Sequence, residues 1–484
     1  MANSLTPYLG ILCAQFGPAI VARDANARLV PEYSRRLLNL LVQRERALPA
    51  LRAEAVVRLG GVLDDLLAEL HAIEGGLVLV PQLLRTIRAQ PDFEQAEPFV
   101  QAAMRLLGTR TTPRSRRLEA AVGRILLDLT DRFLEAVVAQ EAMPAEAAAP
   151  EALTQEQRAA LRAWLRAKFA DDGVDVGPVQ AVIGGGSKRT LVVGLQDARN
   201  LPSEIVLRVD HAGGVVESTV VDEYRLIEAV HRAGVRGPKP FAIETGREVL
   251  GAPFVVVSKV PGRNIGDWID VREPSRAFAL GLAETLARLH RMPVEEGGDR
   301  LPGVGTTIRE RVARELDFYE RSWRASGEPS IVLEQSLAWL RRHLDQAEGR
   351  RAVVHGDVGC HNMLGHDGEL SALLDWETAV VGNPAQDLLY AKHTVEQMLP
   401  WDDFVAAYVA AGGVAPSASE TEFYRVLIAV FRMHFMFIAR AFIAGGFSTS
   451  VVHAYAGNRV GLHCEQQMAS ALADALAREA AAAG

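Results

Sequence analysis

His355-Gly-Asp357-Val-Gly-Cys-His-Asn362-Met-Leu, followed by Leu373-Leu374-Asp375-Trp376-Glu377, is the stretch on which the reading of this chain turns. The apolar runs Ala352–Val354 and Leu370–Leu374 predict two short strands bracketing a loop that carries polar groups. Phosphoryl transfer needs a carboxylate beside an attacking hydroxyl, together with oxygen ligands that hold Mg²⁺ against nucleotide phosphates. Asp357 has the chemistry for the first task, and Asn362 and Asp375 for the second. The intervals are five residues from Asp357 to Asn362 and thirteen from Asn362 to Asp375.

Upstream, the texture is that of a small sheet. Val179–Ile183, Thr190–Leu195, Ile205–Val209 and Phe254–Val260 are short β-branched runs bounded by Gly, Pro and polar turns, with a helix expected over Ser218–Ala233. Thr154 and Gln157 form a capping box that predicts a helix over Gln155–Phe169, with Leu161, Trp164 and Leu165 on one face. From about Glu273 onward the pattern is mostly helical, except around residues 352–376.

Further upstream, Arg35–Val42, Leu51–Ile73, Leu79–Gln90, Phe93–Leu107 and Leu118–Gln140 carry apolar positions at helical spacing. No catalytic constellation occurs there, so a helical accessory module over 1–145, able to mediate homo-oligomerisation, is the expectation. Met143-Pro-Ala-Glu-Ala-Ala-Ala-Pro150 reads as the interdomain linker, assigned to 146–155. The remaining boundaries place a sheet lobe at 156–260 and a helical lobe at 261–484.

Composition removes several classes of function. Of 484 residues, 49% are hydrophobic and 23% charged, as in a globular protein, and the net charge is −8. Residues 1–150 hold 17 basic and 17 acidic groups, so the acidic excess lies wholly beyond them. That balance argues against nucleic acid as a partner. Cys13, Cys360 and Cys464 are too few and scattered for a disulfide framework or zinc cluster. The most apolar late run, Val426–Phe447, contains Arg432, His434 and Arg440 and reads as a buried helix rather than a membrane span. A cytoplasmic protein without a membrane partner is expected. The basic set is skewed: 47 arginines against five lysines, at 168, 188, 239, 259 and 392.

The intervals around Asp357, Asn362 and Asp375 match those of the protein-kinase catalytic loop and metal site. In detail, HGDxxxxN followed by LLDWE resembles the aminoglycoside phosphotransferase (APH) family over roughly residues 155–480. Ile183-Gly-Gly-Gly-Ser-Lys-Arg-Thr190 and Ile205-Val-Leu-Arg208 look like strands of the phosphotransferase domain found joined to some acyl-CoA dehydrogenases. The resemblance implies an α+β, bilobal, protein-kinase-like fold: a small antiparallel-sheet N-lobe and a large helical C-lobe, here preceded by an all-α N-terminal domain. It implies ATP and Mg²⁺ as cofactors and a small-molecule hydroxyl as acceptor, a hydroxyacyl thioester or another metabolite among the candidates.

By position, the resemblance further implies that Gly184, Gly185, Gly186 and Ser187 approach the phosphates, with Lys188 as a further phosphate contact. Glu223 would anchor the phosphate-holding base, and backbone groups near Ser258–Val260 would meet adenine, with Val256 or Val257 on its face. His355 would brace the catalytic loop, His290 would be structural, and Asp387 would anchor loop backbone. Glu377, Tyr390 and the Phe431–Arg440 helix are candidates to line the acceptor pocket. One departure stands out: the third strand, where such kinases carry Lys, reads Val206-Leu207-Arg208. Arg208 must then hold phosphate as a bidentate fork. The competing reading of that departure is a nucleotide-sensing pseudokinase acting through its helical N-terminal part. A protein kinase is disfavoured, because no APE-type segment follows Asp375.

Overall fold

The computed structural model describes residues 40–62 (apart from 42, 45–46, 56 and 60–61), 112–137, 153–182, 188–210, 219–328, 330–444 and 451–482. Gly184, Gly185, Gly186 and Ser187 lie outside the described residues, as do the predicted helices Leu79–Gln90 and Phe93–Leu107 and most of the linker.

The small lobe opens with helix α2, Gln155–Phe169, whose start is the predicted capping box: Gln157 N–H donates to Thr154 Oγ1 and the Gln157 side chain accepts from Thr154 N–H. Five antiparallel strands follow: β1 Asp175–Val182, β2 Lys188–Gln196, β3 Glu204–Asp210, β4 Pro240–Glu244 and β5 Phe254–Ser258. They lie in the order β1-β2-β3-β5-β4, and helix α3, Val220–Arg232, connects β3 to β4. Side chains alternate across such a sheet. Leu191, Val193 and Leu195 of β2 and Ile205, Leu207 and Val209 of β3 all point to one face, where they share a core with Leu161 and Leu165 of α2. The other face of the sheet carries Lys188 of β2, Val206 and Arg208 of β3 and Val257 of β5, and is turned toward α3. The periodicity that builds the core therefore also sorts the charged residues onto one side.

The large lobe is helical: α4 Arg276–Arg291, α5 Ile308–Ser326, α6 Ile331–Arg342, α7 Ala385–Glu396, α8 Trp401–Ala410, α9 Ala418–Ala444 and α10 Val451–Ala482. Two short sheets interrupt it. Strands β7 Ala352–Val354 and β10 Val380–Gly382 pair with each other, and β6 Arg263–Asn264, β8 Met363–His366 and β9 Glu369–Leu373 form the second sheet. The two predicted flanking runs form β7 and β9, but the catalytic-loop stretch ends at β8, which lies between them and which the sequence did not show, any more than it showed β6 or β10.

Helix α1, Pro113–Val137, matches the predicted Leu118–Gln140 segment. With helical residues Leu40, Leu48, Leu51 and Leu59, its Val122, Leu126 and Phe133 enter one hydrophobic core with Leu472 and Leu476 of α10. Each such leucine taken fully from water is worth about 2 kcal/mol. Buried Arg116 pairs with Glu119 at 2.7 Å and with Glu479 at 2.9 Å, adding charge pairs across the same contact. The apolar face of α1 is thus covered from within the chain. Among the described residues, no helix is long and apolar enough to cross a membrane.

Candidate active site

Two groups of polar side chains meet between the lobes. The first begins on α3, whose inward stripe is Val220, Glu223, Leu226, Ile227 and Val230. That is an apolar stripe with one carboxylate in it, and a carboxylate buried there needs a cation. Glu223 is 2% exposed, and the even-numbered face of the sheet supplies two cations to it. Arg208 Nη2 lies 3.2 Å from Glu223 Oε2, and Lys188 Nζ lies 3.8 Å from Glu223 Oε1 and 3.5 Å from Asp210 Oδ1. Burial pushes the Glu223 carboxyl above its usual range, against the pull of Arg208 and Lys188. Burial alone would weaken the charge of Arg208. Glu223, Asp375 and Glu377 reverse that and hold its guanidinium above the ordinary value.

Arg208 also reaches the other lobe. Its Nη2 donates to Asp375 Oδ1 at 2.7 Å, joining β3 to a residue 167 positions away. Asp375 adopts a left-handed backbone, φ 66°, a conformation Asp tolerates better than most residues because its short side chain can bond locally. Glu377, expected among acceptor-lining residues, stands close enough to Arg208 to help keep its guanidinium charged.

The second group is the loop itself. Asn362 Nδ2 donates to Asp357 Oδ2 at 2.9 Å and to the Asp357 carbonyl at 3.1 Å, so the amide sets the rotamer of the acid. His361 Nε2 lies 3.3 Å from the same Oδ2. Burial works to raise the Asp357 carboxyl, but His361, a hydrogen bond from Tyr390 and nearby His355 outweigh it and hold the group well below the usual carboxylate range. Val353 and Val354 are fully buried, which fixes the strand from which this loop departs.

Asp387, fully buried on the first turn of α7, accepts from His355 N–H at 2.7 Å and Gly356 N–H at 2.8 Å. His290 Nε2 lies 3.0 Å from the same carboxylate and its Nδ1 lies 2.8 Å from the Tyr408 hydroxyl. A carboxylate only accepts, so Nε2 carries the proton and Nδ1 accepts from tyrosine. His355 Nδ1 accepts from Asp357 N–H at 3.2 Å, leaving Nε2 to donate to the Leu374 carbonyl at 2.8 Å. Gly356 has φ +82°, and a Cβ there would sit 2.4 Å from the Thr378 carbonyl oxygen, so only glycine fits between His355 and Asp357. These are the bracing and backbone-anchoring contacts expected of His355, His290 and Asp387.

The oxygen donors of Asn362 and Asp375 are hard ligands suited to Mg²⁺. Asn362 spends its amide nitrogen on Asp357, which leaves its oxygen for another partner, and Asp375 has only Oδ1 engaged, by Arg208. The donor chemistry fits a divalent cation. Among the described residues, no cluster of three or more His, Cys, Asp or Glu side chains offers a different metal site.

At the hinge, Ser258 N–H donates to the Lys239 carbonyl and Ser258 Oγ accepts from Lys239 N–H, both at 2.8 Å. The Ser258 amide is therefore committed, and Val260 follows directly after the strand end. Of the two valines expected against adenine, Val257 shares the face of Arg208, while Val256 points into the α2 core. Cys360 is buried beside the 267–271 loop. Its buried thiol donates to the Asp267 carbonyl and burial pushes it up to about 11.

Two further residues stand around Asp357: Trp268, which the sequence reading did not single out, and Arg432, which lies in the Phe431–Arg440 helix expected to line the acceptor pocket. Trp268 is 41% exposed and its ring centroid lies 5.6 Å from that of His361. Arg432 stacks over the Tyr390 ring at 4.2 Å. A large aromatic in the polar run Gly266-Asp267-Trp268 was the available sign of the first, and an Arg inside the apolar run of α9 that of the second.

Residues 178–425 match the phosphotransferase enzyme family, APH. Acyl-CoA dehydrogenase family member 11 of Rattus norvegicus is 30% identical over 174 residues, which is 35% of this chain and 22% of that protein. The chain thus aligns with about a fifth of the length of such relatives. Viomycin phosphotransferase of Streptomyces vinaceus is 29% identical over 168 residues, 32% of this chain and 55% of that enzyme. Among solved structures, an aminoglycoside phosphotransferase candidate from Ralstonia eutropha JMP134 superposes with a TM-score of 0.51 at 18% identity, covering 65% of this chain and 97% of its own, which supports the fold. With a family match spanning just over half of its length, the chain belongs to the APH phosphotransferase enzyme family.

Proposed function

We propose that this protein transfers the γ-phosphoryl group of ATP to a hydroxyl group of a small-molecule metabolite, a hydroxyacyl thioester among the candidates. The observation that carries the reading is the contact across the cleft: Arg208 of the small lobe, buried against Glu223, meets Asp375 of the large lobe at 2.7 Å. A phosphate-seeking cation and a metal-seeking carboxylate are thereby held side by side, with Asp357 and Asn362 on the adjoining loop.

In this reading Arg208 and Lys188 hold the phosphates and Glu223 holds both cations in register, which answers the missing third-strand lysine. Val257 and the backbone at Val260 receive adenine. Asn362 and Asp375 would hold Mg²⁺, which when bound neutralises charge on the phosphates. Asp357 orients the acceptor hydroxyl. A carboxylate held so firmly ionised is a weak base, so it takes the proton late, as phosphate transfer proceeds, and most of the catalysis comes from alignment and charge neutralisation. Asn362 and His361 keep its Oδ2 aimed while that happens.

The test is Asp357→Asn. Loss of the positioned carboxylate should reduce transfer by about 10²- to 10⁴-fold, with MgATP affinity measured by calorimetry kept within a few-fold. Full turnover in this variant would overturn the role of Asp357.

A further inference from the structure

Beyond Asp357 lies a set of cations that the phosphate chemistry does not use. Arg432 on α9 is half-buried, stacked on the Tyr390 ring, and donates from Nη2 to the Tyr390 carbonyl at 3.0 Å and from Nη1 to Gln467 Oε1 at 3.0 Å. The same tyrosine stands close enough to Asp357 to help lower its carboxyl, so one aromatic ring separates the guanidinium from the acid. Among the described residues, Arg432 has no carboxylate within ion-pair distance.

A second guanidinium belongs to the same wall. Arg459, His463 and Gln467 are spaced by four on α10 and so form one stripe, whose last member holds Arg432. Arg459 has a side chain only 6% exposed and pairs with Asp270 at 3.2 Å, yet its Nε and Nη1 are buried without an acceptor among the described residues. Next to Asp270, the Ile269 carbonyl accepts from His393 Nε2 at 3.0 Å, and His393 stands one turn beyond Tyr390 on α7. Burial and the neighbouring arginine lower both His393 and His463, so neither contributes charge at neutral pH. Set against the two arginines are the carboxylates of Asp270 and Asp357. A buried donor without an acceptor is costly, and an oxyanion is what removes that cost.

We infer that Arg432 and Arg459 form an oxyanion subsite, so that the hydroxyl presented to Asp357 belongs to an acceptor that also carries a carboxylate or a phosphate group. The inference rests on the phosphotransferase reading and deepens it. A polycationic acceptor would face two like charges there, one buried and one half-buried.

The test uses the full chain with matched probes: 3-hydroxybutyrate against its amide, glycerol 3-phosphate against glycerol, and kanamycin as the polycation. Binding is read by calorimetry with MgADP saturating, and transfer by radiolabelled ATP. Wild-type protein should bind at least one anionic probe at least tenfold tighter than its neutral partner. Which pair shows the preference distinguishes carboxylate from phosphate. Arg432→Gln and Arg459→Gln should each cut that preference to below threefold, a change in KM rather than kcat when transfer is measured; MgATP-dependent thermal shifts identify which variants are folded, and either variant suffices. Equal binding within both pairs, tighter binding of kanamycin, or a preference unchanged in a folded variant would each overturn the subsite. Failure of the underlying reading looks different, because then wild-type protein shows no MgATP shift or Asp357→Asn retains turnover.

Discussion

Replacing Asp387 by Asn isolates the frame that holds the catalytic loop. The substitution keeps the shape of the side chain but leaves one acceptor oxygen where there were two. If the remaining oxygen takes the Oδ2 position, it still receives His355 N–H and His290, and the new NH₂ faces Gly356 N–H, donor against donor. The opposite orientation strands two donors instead of one. A hydrogen bond to a charged group contributes about 1.5–3 kcal/mol, and its loss in a fully buried site leaves a donor unsatisfied. The two surviving bonds also fall from charge-assisted to neutral, which roughly halves their strength. The sum is about 3–6 kcal/mol. At about 2–4 °C per kcal/mol for a lobe of this size, the thermal midpoint of the large lobe should fall by about 10 °C.

Differential scanning fluorimetry and the MgATP-dependent transfer rate measure the two consequences separately. Asp387 touches the loop backbone rather than Asp357 itself, so it is a positioning residue. Its loss should lower kcat below the melting range while the KM for ATP stays within about twofold, since the nucleotide-facing cations Arg208 and Lys188 sit on the other lobe. A midpoint within 2 °C of wild type, together with an unchanged kcat, would refute the reasoning. It would mean that Gly356 and His355 find other acceptors without distorting the loop.

Cys360 and Cys464 are both buried, with thiols pushed up to about 11, so iodoacetamide at pH 8 should leave both unmodified in native protein and modify both in urea, as peptide mass mapping would show. His434, 3% exposed and packed 4.6 Å from the Tyr319 ring, is lowered by burial to about 4. The unfolded chain binds its proton first, so stability is lost as pH falls from about 6.5 toward 4, by about 2 kcal/mol at pH 5. Urea unfolding of His434→Phe should lack that share of the acid destabilisation, and identical pH slopes for the two proteins would count against a buried neutral imidazole.

The parts of this molecule that were legible in its sequence are those where local pattern and chemistry coincide. The Thr154–Gln157 box fixes the start of α2, two apolar runs announce β7 and β9, and the spacing of Asp357, Asn362 and Asp375 places three oxygen donors around one loop. Glu223 was readable in principle from its stripe, since a lone carboxylate among Val220, Leu226, Ile227 and Val230 has no stable place without a cation. What pattern could not supply was register. Lys188 and Arg208 converge because β2 and β3 pair Thr190 with Arg208 and Lys188 with Asp210, which puts every second residue on the α3 side. A one-residue slip of either strand would turn its cation toward the α2 core.

The same logic explains why the sequence offered Tyr390 and the Phe431–Arg440 helix for the acceptor side but not how its arginines meet. Arg432, Arg459 and Asp270 come from three segments that no local period connects. Only the packing of α9 on α10, and of the 267–271 loop against α7, brings them together. Their message is nonetheless chemical rather than topological. In the proposed subsite, a guanidinium kept charged in a half-buried place, stacked on the Tyr390 ring beside Asp357, calls for an acceptor with negative charge of its own. The proposed nucleotide half of the site draws on residue types whose chemistry suggests their role. The acceptor half is built from ordinary arginines whose role follows only from what they lack: a carboxylate for Arg432, and hydrogen-bond acceptors for two nitrogens of Arg459 among the described residues.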